Sequence, residues 1–132
     1  MHERSEISSF RPTDAWHMDW PYDVWTKVGA RASISGPGAA TAVQDFVESL
    51  EHEPDSDVPG GARLYYRGGY TAEVTAPDDG EAWQIVLASA GEDGLGSVQD
   101  SADDLVAALR RASGEVRLAW SELPATRAGT AP

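Results

Sequence analysis

The stretch VWTKVGARASISGPGAATAVQDFVESL, residues 24–50, decides the fold. Its first half alternates. Val24, Thr26, Val28, Ala30, Ala32 and Ile34 fall on one side; Lys27, Arg31 and Ser33 fall on the other. A period of two over that length predicts a half-buried strand. Ser35-Gly36-Pro37-Gly38 ends it. Pro37 suits a first helical turn, where its missing N–H leaves no bond unmade. The period then changes: Ala39, Val43, Phe46, Val47 and Leu50 form one apolar stripe of an amphipathic helix.

Downstream, Glu51, Glu53, Asp55 and Asp57 with Pro54 and Pro59 make residues 51–61 an acidic loop. Arg63-Leu64-Tyr65-Tyr66-Arg67 has strand-favouring aromatics. Gly68-Gly69 permits a tight turn or a bulge in one longer strand. Tyr70, Ala72 and Val74 alternate, Asp79-Gly80 is a hairpin signal, and Trp83, Ile85 and Leu87 alternate again. Residues 89–100 are rich in glycine and acid and read as a loop. Ser101 then begins a second helix, with Asp103 and Asp104 at its positive end. Its stripe is Leu105, Val106, Leu109 and Ala112; Arg110 and Arg111 sit near its end, and Gly114 stops it. Val116, Leu118 and Trp120 give a last strand.

These elements predict a two-layer α+β sandwich in the order β-α-β-β-(β)-α-β. A four- to five-stranded, mainly antiparallel sheet carries two helices on one face. If Gly68-Gly69 is a bulge, the order resembles that of ferredoxin-like domains; if it is a turn, a fifth strand is added. That superfold hosts many functions, so the resemblance implies none. The expected domain spans residues 14–123, between a loose segment 1–13 and a polar tail 124–132. It includes an aromatic arm, residues 14–25, with Trp16, Trp20, Tyr22 and Trp25. Pro21 opposes a helix there.

The 132 residues suit one domain. Without cysteine there is no disulfide, thiol nucleophile or iron–sulfur cluster. Residues 1–6 show no apolar leader and no run is long enough to span a bilayer, so the expectation is a cytoplasmic protein with no membrane partner. Lys27 is the only lysine beside nine arginines, a usage that points to a GC-rich bacterial genome. The net charge of −12 opposes direct binding of nucleic acid. Arg63, Tyr65 and Arg67 are the one stacking-like arrangement against that view.

No motif sets up chemistry, so no catalytic residue, metal or cofactor is expected. His17 among Asp14, Asp19 and Asp23 matches no ligand spacing. The adjacent carboxylates Asp78/Asp79 and Asp103/Asp104 have sufficient roles in a turn and at a helix start. Gly91 to Gly96 lacks the spacing and the lysine of a phosphate loop.

Three function classes follow. The first is a non-enzymatic protein-binding module, a regulator, adaptor or immunity-type inhibitor that occupies a partner's surface. Its contact residues are Trp16, Trp20, Tyr22, Glu48, Glu51, Glu53, Asp55 and Asp57, and a basic partner suits their charge. The alternative is a small-ligand-binding or sensory domain with Tyr66, Tyr70, Trp83 and Trp120 lining a pocket. The third is an enzyme whose Asp, Glu or His site is assembled only in space. Monomer and homodimer both remain open.

Overall fold

The structure, a computed structural model, describes residues 7–11, 26–56, 61–77, 82–90, 94–112, 114–123 and 126–127. The alternation from Thr26 gives strand β1, Thr26–Ser35, and the stripe after Gly38 gives helix α1, Ala39–Val47. Gly36 joins them with φ +105°, and a Cβ there would lie 2.6 Å from the Glu115 carbonyl oxygen. Glycine is therefore required both by the dihedral and by the close approach. The Gly38 N–H donates to that same Glu115 carbonyl at 2.9 Å, which ties the two turns together.

The next elements are β2 (Glu51–His52), a 3-10 turn (Pro54–Ser56), β3 (Arg63–Arg67) and β4 (Tyr70–Thr75). Then come β5 (Trp83–Ala90), α2 (Gly94–Arg111), β6 (Arg117–Glu122) and β7 (Thr126–Arg127). Gly68-Gly69 is a turn. Arg67 pairs with Tyr70 across it, and Gly68 has the positive φ, 55°, that the favoured two-residue hairpin turns need. The Asp79-Gly80 turn lies outside the described residues, although β4 and β5 on either side of it pair antiparallel.

The result is an α+β fold with six antiparallel strands in the order β2-β3-β4-β5-β1-β6; β7 pairs with the start of β1. The expected four to five strands are thus too few. Two-residue β2 was hidden in the acidic loop, and β7 in the polar tail. The ferredoxin-like order is only roughly matched, because β2 and β3 are inserted between α1 and β4. The helices pack on each other and both touch β5, so they cover the same sheet face.

The helix start predicted at Ser101 is corrected to Gly94. Val98, Ala102, Leu105 and Leu109 make one buried stripe that begins ahead of Ser101, and burying Gly94 and Val98 offsets the poor helix propensity of the glycines. Ser101 is no cap. It is fully buried, and its Oγ donates to the Val98 carbonyl at 2.7 Å.

On the helix side, Val28, Ala30, Ala32 and Ile34 of β1 meet Ile85 and Leu87 of β5 and Ala72 and Val74 of β4. Phe46, Leu105 and Leu109 close the core from the helices. The opposite sheet face mixes polar and apolar side chains: Arg31, Glu73 and Val86 share one row, and Ser33 Oγ donates to Gln84 Oε1 at 3.0 Å in the next. No helix among the described residues is long and apolar enough to cross a membrane.

Candidate binding site at the edge between α1 and β3

Strands spaced about 4.8 Å apart make a six-stranded sheet roughly 24 Å wide. Two helices roughly 10 Å across cover less than that. Both margins of the helix-covered face therefore need another filling, and the chain treats them differently.

At the β6 margin the filling is residues 7–11, expected to be loose. Phe10 is 3% exposed, with its ring centroid 5.1 Å from that of Trp120. Trp120 Nε1 donates to the Ser8 carbonyl at 2.8 Å, Gln99 Nε2 to the Phe10 carbonyl at 3.1 Å, and Arg110 to the Ile7 carbonyl at 3.3 Å. Three side-chain donors thus hold the backbone of this segment in place, and its Phe and Ile join the core.

At the β3 margin a cavity of ≈ 160 Å³ remains. Val43 and Val47 of α1 and Val74 of β4 form its apolar floor. Tyr65 of β3 and Trp83 of β5 are its half-buried aromatic walls, and Gln44 and Arg63 stand at the rim. The cavity follows from the Gly68-Gly69 turn, which adds β3 beyond the reach of the helices.

An acidic ridge borders the same margin. Glu48 ends α1 and accepts from Gln44 Nε2 at 3.3 Å. Glu51 stands in β2 opposite Tyr66, and His52 lies opposite Tyr65 with ring centroids 5.0 Å apart. The Glu53 N–H donates to the Leu64 carbonyl at 2.9 Å, and Asp55 is exposed in the 3-10 turn. Among the described residues no basic side chain pairs with these four carboxylates, whereas Asp45 and Glu115 elsewhere pair with Arg111 and Arg117.

The structure thus brings Glu48, Glu51, Glu53 and Asp55 to one edge. Asp57, Trp16, Trp20 and Tyr22 lie outside the described residues. The four aromatics expected to line a pocket are dispersed. Trp83 lines the cavity, whereas Trp120 is at the opposite margin under Phe10. Tyr66, 39% exposed, is on the helix-free face. Tyr70 is buried beneath α2 and donates to Asp104 Oδ2 at 3.0 Å. Tyr66 and Tyr70 meet only in a shallow groove beside the β3–β4 turn.

The sequence reading missed Tyr65 and Gln44 as site residues. Arg63, Tyr65 and Arg67 do share one strand side, but that side faces the helix layer. Among the described residues no group of three or more His, Asp or Glu side chains is placed to hold a metal ion.

Compared with known proteins, the chain matches no family model, and no curated protein or solved structure is significantly similar to it.

Proposed function

We propose that this protein is a small acidic, non-enzymatic protein-binding module, a regulator, adaptor or immunity-type inhibitor that occupies the surface of a basic partner. The observation that carries this reading is the edge where Glu48, Glu51, Glu53 and Asp55 stand without cationic partners among the described residues. Carboxylates grouped on one edge of a chain of net charge −12 attract a basic surface over a Debye length and orient its approach. Trp16, Trp20, Tyr22 and Asp57 are proposed to add contacts, the aromatics as anchors. The preference for arginine over lysine supports a bacterial source, and a cytoplasmic setting is proposed with it.

Affinity capture from the native host, followed by kinetics on the captured protein, tests this. A stoichiometric basic partner is expected. Its association should slow about tenfold when Glu48, Glu51 and Glu53 become Gln and Asp55 becomes Asn, with a melting temperature no lower than the parent's. No partner, or an unchanged association rate, sinks the proposal.

A second reading, a small-ligand-binding domain, is favoured by the cavity walled by Tyr65 and Trp83.

A further inference from the structure

We infer that the cavity between α1 and β3–β5 binds one small uncharged aromatic ring system, single or fused, of a free molecule, in the class of phenol and indole. The inference rests on the ligand-binding reading and names its site and ligand class.

Size comes first. The cavity measures ≈ 160 Å³, and an apolar cavity of about 150 Å³ suffices to hold benzene. A molecule of one small aromatic ring system, such as phenol or the fused rings of indole, is of that scale; a dinucleotide or a steroid is not. The lining sets the rest. Val43, Val47 and Val74 are buried apolar groups and offer a charge no compensation for lost water. The net charge of −12 also repels anions. An uncharged ligand is left. Tyr65 and Trp83 favour an aromatic one, because stacked or edge-to-face rings gain beyond the area they bury. Gln44 gives its Nε2 to Glu48, so its Oε1 is the atom left to accept from a ring O–H or N–H.

The test is a titration of the full chain followed by the valine methyl resonances. Phenol and indole should shift the Val43, Val47 and Val74 methyls saturably at 1:1, with a Kd in the millimolar range or tighter. Cyclohexanol should bind at least tenfold more weakly. Ala76 lines the cavity but is exposed, so Ala76→Phe blocks it from the mouth without touching the floor. This variant should keep its melting temperature and lose the shifts. Equal binding of cyclohexanol overturns the aromatic class and leaves a ligand cavity standing. N-acetyltryptophanamide binding more tightly than indole assigns the ring to a partner's side chain and overturns the free-molecule source. Shifts that persist in folded Ala76→Phe place the binding elsewhere and overturn the site. No methyl shift with any probe overturns the inference together with the ligand-binding reading.

Discussion

Tyr70 shows how one residue couples burial to charge. It is 6% exposed, and its hydroxyl reaches an exposed carboxylate on α2. Burial raises the phenol pKa first; the hydrogen bond to Asp104 and that carboxylate's charge raise it further, against the opposing charge of Arg67. The unfolded chain loses this proton near pH ~10. The folded value is higher, so the stabilisation is full below about pH 10 and is lost as pH rises through the folded value. Urea unfolding at increasing alkaline pH should therefore show stability falling from about pH 10, by at most ~1.4 kcal/mol per pH unit from this group. Tyr70→Phe should flatten that slope and cost about 0.5–1.5 kcal/mol at neutral pH. Parallel slopes in the two proteins would contradict this account. The sequence put Tyr70 in a ligand pocket; its period-two position already marked it as a core-side strand residue.

At the scale of elements, α2 is the informative case. Its first turn, from Gly94, is weak by propensity, and glycine- and acid-rich sequence there predicts a loop. Packing of Val98 under the helix makes it helical. Gly96 is exposed, and a Cβ there meets nothing within 4 Å. Gly96→Ala should therefore stabilise the protein by about 0.5–1 kcal/mol in equilibrium unfolding, as expected inside a helix. A neutral or destabilising result would place Gly96 outside the helix. β1, α1 and the core strands were legible because each keeps one period over its whole length. The β2 and β7 pairs were not, since two residues carry no period. Phe10 was missed for a related reason: a single apolar residue in a polar stretch gives no pattern, and its burial depends on the gap beside Trp120.

Across the whole molecule, 22 acidic against 10 basic side chains make self-repulsion part of the stability balance. Raising salt from about 10 to about 150 mM shortens the Debye length from roughly 30 to 8 Å. The melting temperature should rise by a few degrees over that range; an unchanged or falling value would show that the charges are balanced locally. The same screening should slow partner capture, so stability and association respond to salt in opposite directions. Of the candidate site, the sequence supplied the acidic residues from Glu48 to Asp55, because charge is additive along a chain. It supplied Trp83 as a lining residue but not its neighbours. By itself it determined the α+β class, the presence of two helices, the β1–α1 unit and the buried side of β1, β4 and β5, since these follow from local periods. The margins of the sheet were decided only in three dimensions. Whether a strand extends past the helix layer, and whether Phe10 or a cavity lies under that margin, depends on how wide the sheet is against the helices that cover it. That width is a sum over strands distant in sequence, and no local window contains it.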